Sequence, residues 1–331
     1  MASTKLTILM PAYNAERYLT EAVDSLLNQT FREFELWVID DASTDSTGTI
    51  AESLHDPRIR LLRNSSNKGF TTSVNDVMPA VQSRYFTITG ADDVSHHQRL
   101  EKQIALLEAD PELMMCGTSY WAVDEKGFLS HKTILRSHLD ELRLHSINTS
   151  QFLGGTTIMR KEVWQPGNDL YRVYFSDYQS DADLACRLLD KHKVTNLPEP
   201  LYYYRILDSS VSRKNVSPRS LNLYKLIGYL SQQRRQNGWD CLDAGDVTEA
   251  DEWLADYLEP YRADPSFSHR HTAFFHLYWG LPKRSILSMI QAIVIKPLKI
   301  KNLAGLGYII FKSCLFSVNR VFFKKHYRDL I

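Results

Sequence analysis

Over the first hundred residues, short continuous apolar runs alternate with segments whose apolar positions recur at helical spacing. Leu6 to Met10 is an apolar run closed by Pro11 and predicts a buried strand. Leu19, Ala22, Val23, Leu26 and Leu27 then fall on one helical face that ends near Gln29. Phe34 to Ile39 predicts a second strand, followed by the turn formers and N-caps Asp40-Asp41-Ala42-Ser43-Thr44-Asp45-Ser46 and a helix to about His55. Ile59 to Leu62 predicts a third strand, with the turn Asn67-Lys68-Gly69 and a helix to about Gln82 after it. Tyr85 to Thr89, a fourth strand, runs into Gly90-Ala91-Asp92-Asp93.

This order predicts an α/β fold with a mostly parallel sheet flanked by helices. Ligands of such sheets sit beyond the carboxyl ends of the strands. Those ends carry Tyr13-Asn14, Asp40-Asp41, Asn67-Lys68 and Asp92-Asp93, so polar chemistry converges on one edge. After a helix over 98–108 the alternation loosens. Strands are expected over 114–120, 156–160 and 201–206, and a helix over 181–189. From Pro218 the pattern is helical, which places the end of the core near Val216-Ser217-Pro218 and predicts a helical C-terminal extension over 217–331.

Composition changes this picture little. Apolar residues make up 44% and charged residues 24%, ordinary for a folded chain, and the formal net charge of zero argues against nucleic acid as a partner. The charge is unevenly placed, however. From Pro282 to Ile331 there are ten Lys or Arg against one acid, Asp329. The four cysteines are far apart and suit a reducing compartment, no secretory leader precedes the first strand, and no apolar stretch is long enough to span a bilayer. The expected place is the cytoplasm.

The first glycine is Gly48, so no glycine-rich turn follows strand one and hydride transfer from a dinucleotide is disfavoured. A phosphate-binding loop is absent, and a nucleotidyltransferase would need a glycine- and basic-rich loop where Pro11-Ala12-Tyr13-Asn14 stands. Carboxylates can meet phosphates only through a cation. Asp92-Asp93 at a strand end suits oxygen-ligated Mg²⁺ or Mn²⁺. Paired acids at a turn are also ordinary helix caps; alignment with the other polar strand ends favours the ligand reading.

Thr7-Ile-Leu-Met-Pro-Ala-Tyr-Asn14, Ser25-Leu-Leu-Asn-Gln-Thr30, Ile39-Asp-Asp-Ala-Ser-Thr-Asp45, Asn67-Lys-Gly69, Ala91-Asp-Asp93 and Arg99-Leu-Glu-Lys-Gln103 together resemble the family 2 glycosyltransferases of GT-A fold. Weaker similarity continues through Met159-Arg-Lys-Glu-Val163, Ser180-Asp-Ala-Asp-Leu184 and Tyr204-Arg205 with Ser210-Val-Ser212. The resemblance implies a domain over 1–216, with a nucleotide-sugar-binding half (1–108) and an acceptor-binding half (109–216). It implies Ala12, Tyr13 and Asn14 against base and ribose, Asp40 on the base N–H, and Lys68 near base or phosphates. Asp92 would meet the ribose and diphosphate, and Asp92 with Asp93 the metal. An aspartate at position 40 suits the imide of uracil or thymine, hence a UDP or dTDP donor. Capping of the following turn is the other reading of Asp40, and solvent exposure that of Lys68.

The implied reaction is inverting transfer from a nucleoside diphosphate sugar to a hydroxyl, with Asp181 as catalytic base. Asp183, able to pair with Arg187 one helical turn on, is the alternative base but reads first as structural. Gly90, Ser180 and Leu207 stand where many relatives carry an acid, a glutamate and a histidine metal ligand, and Gly90 and Leu207 weaken the expected Mg²⁺ or Mn²⁺ site. Arg205, Arg213 or Lys214 could then neutralise the diphosphate. The same departures motivate a second reading, a catalytically weak nucleotide-sugar-binding or scaffold protein on the same fold. From about residue 283 apolar residues and lysines interleave, which predicts helices in a membrane interface and fits a lipid-linked acceptor in surface polysaccharide assembly. The alternative there is a helical subdomain packed on the core, or a homodimer contact.

Overall fold

A computed structural model describes residues 4–176, 178–208, 210, 213, 216–322 and 325–330, with side chains to residue 314 and again from 325. Val211, Ser212, Lys214, Phe323 and Lys324 therefore lie outside the described residues, as do the side chains of Leu315, Phe316, Arg320, Val321 and Phe322. The chain divides into two compact units, Met1–Val123 with His131–Arg205, and Asp124–Ser130 with Ile206–Leu330.

The first unit begins β1 (Leu6–Ala12), α1 (Leu19–Leu27), β2 (Phe34–Asp40), α2 (Thr47–Ser53), β3 (Ile59–Arg63), α3 (Gly69–Val77), β4 (Tyr85–Ile88) and β5 (Val94–Ser95). It continues with α4 (Arg99–Ala109), β6 (Leu113–Val123), α5 (Leu139–His145), β7 (Ile158–Arg160), α6 (Ser180–Lys191) and β8 (Lys193–Arg205). These strands lie side by side in the order β3-β2-β1-β4-β7-β6-β8-β5. Pairings among β3, β2, β1 and β4 are parallel, as the alternation requires, and so is β6 with β8. β7 runs antiparallel between β4 and β6 and joins the two parallel blocks. The fold is α/β, a mixed but mostly parallel sheet flanked by helices.

Strand period two sends alternate side chains to opposite faces. Leu6, Ile8 and Met10 of β1 and Leu36 and Val38 of β2 join α1 and α4 in one core. Leu9, Trp37 and Ile39 join α3 and α6 in the other. Each fully buried Leu or Ile contributes roughly 1.5–3 kcal/mol, so the sheet is fixed from both sides. β1 continues through Pro11, two residues beyond its expected end. The Leu9 carbonyl faces β4, so the nitrogen of Pro11 faces the same way, beyond Ile88 where β4 has ended and no donor is needed.

The second unit holds α7 (Pro218–Asn237), α8 (Val247–Ala263), α9 (Pro265–Tyr278), α10 (Pro282–Ile295) and α11 (Ile300–Phe322). Ser217 caps α7 in a reciprocal box with Ser220, and Gly238 ends that helix at φ 86°. Asp246 and Asp264 cap α8 and α9. Ala273, Leu277, Met289, Ala292 and Ile309 form the core shared by α9, α10 and α11.

Candidate active site

β1 and β2 run in register with Ala12 opposite Asp40, so their loops leave the sheet side by side. Asn14 and Ala42 both take left-handed backbone, φ 51° and 56°. Asn tolerates this locally, whereas Ala42 carries a cost of about 1–2 kcal/mol that the cross-links between the loops must offset. Those links are the Asn14 N–H donating to Ser43 Oγ at 3.1 Å, the Thr44 N–H to Asn14 Oδ1 at 2.8 Å, and the Ala15 N–H to Thr47 Oγ1 at 2.7 Å. Ala12 is buried at the strand end, and Tyr13 is 50% exposed at the rim.

Asp40 is buried, and its Oδ1 accepts the Ser43 N–H at 3.0 Å. The turn cap that was the other reading of Asp40 is thus present. A carboxylate oxygen keeps further acceptor capacity for a base N–H. A β-carbon at Gly48 would stand 2.9 Å from Asp40 Oδ2, so glycine lets α2 approach this carboxylate. Asp41 is a clamp: it accepts the Lys68 N–H (2.9 Å), the Gly69 N–H (2.8 Å) and Asn64 Nδ2 (2.7 Å). Burial raises its pKa, but these donors outweigh burial and hold Asp41 below the usual carboxylate value. The Lys68 ammonium pairs with Asp76 at 2.6 Å.

At the end of β4 the two acids are unequal. Asp93 is buried, its Oδ1 accepting the Arg205 N–H at 2.7 Å and its Oδ2 the Tyr202 hydroxyl at 2.8 Å. Burial first, and then the neighbouring Asp92 carboxylate, push Asp93 up to about 8. Asp92 is partly exposed. A β-carbon at Gly90 would lie 2.8 Å from both Asp92 Oδ1 and Asp93 Oδ2, so the two carboxylates fold over the space that a side chain at position 90 would take. Among the described residues no three His, Cys, Asp or Glu side chains come together as a metal cage. The hard oxygen donors fit a cation held by one protein carboxylate and substrate phosphates, a common Mg²⁺ arrangement. Of the two, Asp92 is the more exposed, while Asp93 accepts bonds from Arg205 and Tyr202.

Arg205 is committed elsewhere than a diphosphate. Its guanidinium pairs with Glu21 at 2.6 Å, donates to the Asp92 carbonyl at 2.8 Å and lies over the Tyr18 ring. Arg213, in the second unit, is buried over the Trp279 ring. Arg99 is fully buried over the Tyr202 ring and donates to the Gly155 carbonyl at 3.3 Å, and burial lowers it to about 10.

Asp181 stands in the first turn of α6, where the helix dipole favours an anion. Burial nevertheless raises its pKa, against opposing bonds from the Ala182 and Gly154 backbone. A β-carbon at Gly154 would fall 2.5 Å from Asp181 Oδ2, and one at Gly155 would fall 2.5 Å from the Tyr202 hydroxyl. The turn Gly154-Gly155 is therefore a two-residue spacer, packed on Asp181 at one end and on the Tyr202–Asp93 bond at the other. Tyr171 lies close enough for the Asp181 charge to help raise its pKa, second to burial. Asn75 holds Tyr171 through both backbone groups, at 2.8 and 3.0 Å, and Phe70 packs on its ring. That contact returns to α3, two residues beyond Lys68.

Asp183 is fully buried, with Arg187 at 2.8 Å and Arg172 at 3.4 Å, the structural role its spacing predicts. Gly154, Gly155, Tyr202 and Tyr171 pack around the candidate site without having been singled out from the sequence, and Arg99 was quoted there only as part of a motif. Only the paired glycines carried a local signal, since adjacent glycines mark a close backbone approach.

The family model "Glycosyl transferase family 2" matches residues 7–165. The Bacillus subtilis (strain 168) protein named "Putative glycosyltransferase EpsE" is 32% identical over 215 residues, covering 64% of this chain and 76% of that protein. Among solved structures, S. aureus TarS 1-349 in complex with UDP-GlcNAc superposes with a TM-score of 0.60 at 17% identity, over 94% of this chain and 92% of that one. Mannosyltransferase PcManGT from Pyrobaculum calidifontis, in complex with GDP-Man and Mn²⁺, superposes with a TM-score of 0.53 at 14% identity, over 98% and 89%. The paired acids at the strand ends, the GT-A fold and these likenesses agree: the chain belongs to the family 2 glycosyltransferases and is a glycosyltransferase enzyme.

Proposed function

We propose that the enzyme inverts the anomeric carbon while moving a sugar from a UDP- or dTDP-type donor to a hydroxyl of a glycan or lipid-linked acceptor. The reading extends to surface polysaccharide assembly at the inner face of the cell membrane. The observation that carries the mechanism is the Gly154-Gly155 spacer, which packs on a half-buried Asp181 carboxylate at one end and on the Asp93–Tyr202 corner at the other.

Asp181 takes the proton of the acceptor hydroxyl, and its raised pKa makes it a stronger base than an exposed aspartate. The hydroxyl oxygen then bonds to the anomeric carbon. The bond to the diphosphate breaks on the opposite side, and its electron pair leaves on the phosphate oxygen. Ala12, Tyr13 and Asn14 would border the base and ribose, Asp40 would accept the imide N–H, and Lys68 would turn from Asp76 to the donor. Asp92 would hold Mg²⁺ or Mn²⁺, whose contribution is to neutralise the charge of the departing diphosphate. A UDP-sugar bound by TarS and Mn²⁺ bound by PcManGT support this choice of donor class and metal.

The test is a thermal-shift screen of UDP-, dTDP- and GDP-sugars with Mn²⁺, followed by transfer assays of Asp181→Ala. The reading expects a UDP or dTDP sugar to raise the melting temperature of both proteins. It also expects the variant to lose about 10²–10⁴ in rate. Transfer that survives Asp181→Ala unchanged would remove the mechanism.

A further inference from the structure

Ten of the twenty large apolar side chains exposed among the described residues lie between Leu287 and Phe311. They are not scattered. Leu287, Ile290 and Val294 recur at helical spacing along α10, on the face away from Met289 and Ala292, which fill the core of this unit. Leu303 and Ile310, seven residues apart, do the same on α11 while Ile309 faces inward. At the turn between the helices Leu298 is 94% exposed and Ile300 79%. The apolar residues of this segment are thus sorted into an inner set that closes the fold and an outer set that nothing among the described residues covers.

Charge says what suits the outer set. From Pro282 to Tyr327 there is no aspartate or glutamate. Lys283 and Lys301 are exposed beside the apolar face. Lys296 and Lys299 are held at the turn by Asp264, the capping residue of α9, which also lies within 3.8 Å of Arg270. A second copy of this chain would press one acid-free basic face on another. An anionic lipid surface instead offers both apolar depth and opposite charge. No helix among the described residues is long and apolar enough to cross a membrane.

We infer that the α10–α11 hairpin docks flat on an anionic bilayer, with Leu298 and Ile300 as the inserted tip and Lys283 and Lys301 at the headgroups. The choice of a bilayer rests in part on the lipid-linked acceptor proposed above, but the docking is testable without turnover. The full-length chain is floated with vesicles of phosphatidylethanolamine and phosphatidylglycerol, and with phosphatidylcholine alone. Flotation is expected only with the anionic vesicles and should weaken in raised salt. Leu298→Glu combined with Ile300→Glu should reduce it by about tenfold or more, while the thermal shift by donor sugar stays unchanged. Both side chains are exposed, so the pair has no core to disrupt. No flotation of the wild type, or equal flotation of the variant, overturns the inference. Light scattering that shows a dimer split by the same substitutions, without flotation, overturns it in favour of self-association. Flotation as expected, with no nucleotide sugar shifting either protein, leaves the docking standing while the donor reading falls.

Discussion

Two strand ends of this enzyme carry the same pair of letters, Asp40-Asp41 after β2 and Asp92-Asp93 after β4, and the fold treats the two pairs alike in one respect and oppositely in another. In each, the second acid is buried and accepts bonds from a segment distant in sequence. Asp41 ties β2 to the start of α3, and Asp93 ties β4 to β8. Their electrostatics diverge. Asp41 meets two backbone N–H groups and an amide, which lower its pKa despite burial. Asp93 meets one N–H and a hydroxyl beside another carboxylate, and burial raises it to about 8. Adjacent acids are thus not two copies of one function: the second of each pair braces the strand end, and the proposal above gives the first to the donor.

The sharpest way to break this division is to neutralise Asp92 and Asp93 separately. Asp92→Asn should lower transfer by about 10²–10³, the scale of losing one electrostatic contact to the developing charge, with the melting temperature unchanged. It should also raise the Mn²⁺ concentration needed for half-activity. Asp93→Asn keeps an acceptor for the Arg205 N–H and should leave the Mn²⁺ requirement as it is. Equal shifts in metal requirement for both variants would restore Asp93 as a ligand.

Stability is the complementary test. Asp41→Ala strands the Lys68 N–H, removes one Asn64 bond and leaves the Gly69 N–H only Asn67 Oδ1 at 3.2 Å, a loss of about 2–4 kcal/mol in denaturant unfolding. Because the folded pKa of Asp41 is depressed, its contribution is present above the ordinary carboxylate pKa and is lost as pH falls through the folded value. The acid limb of the stability curve should therefore be shallower in the variant. Asp40→Ala, which loses the Ser43 cap, should cost only about 1 kcal/mol.

How much of this was legible beforehand follows from distance along the chain. The parallel block β3-β2-β1-β4, both acid pairs and the Asp183–Arg187 pair are local in sequence, set by strand runs, turn formers and helical spacing. The second layer is not local. Tyr202 reaches Asp93 across 109 positions, and Arg99 reaches Gly155 across 56. A tyrosine in an apolar strand gives no sign of which carboxylate it will meet. β8 was expected over 201–206 only. It starts at Lys193 and passes Pro198 and Pro200, where its pairing with β6 slips register. Prolines obscure a strand when irregular pairing excuses their missing N–H. β5, two residues long, is too short for any periodicity.

A smaller effect probes Gly90, one of the two departures that weakened the metal expectation. A β-carbon there collides with both carboxylates at 2.8 Å, so Gly90→Ala must move Asp92 or loosen Asp93. Donor KM should rise by about tenfold, the worth of roughly 1.4 kcal/mol, with little change in kcat if Asp181 keeps its place. A matching Gly154→Ala, which pushes on Asp181 itself, should lower kcat instead.

The finest distinction is the pH dependence of kcat/KM. Asp181 must be ionised to act, and burial raises its pKa, so activity should climb with pH through a limb above the ordinary carboxylate value of about 3.9. If Asp40 binds the base, Asp40→Asn should leave the limb in place while weakening donor binding by a few-fold, on the order of 1 kcal/mol for one hydrogen bond. Asp181→Glu with Gly154 retained should shift the limb without abolishing it, because a carboxylate remains in the desolvated niche. A profile that is flat down to the acid unfolding of the enzyme would mean that the proton leaves by another route, and the contrast between binding and reacting carboxylates would then collapse onto the donor side alone.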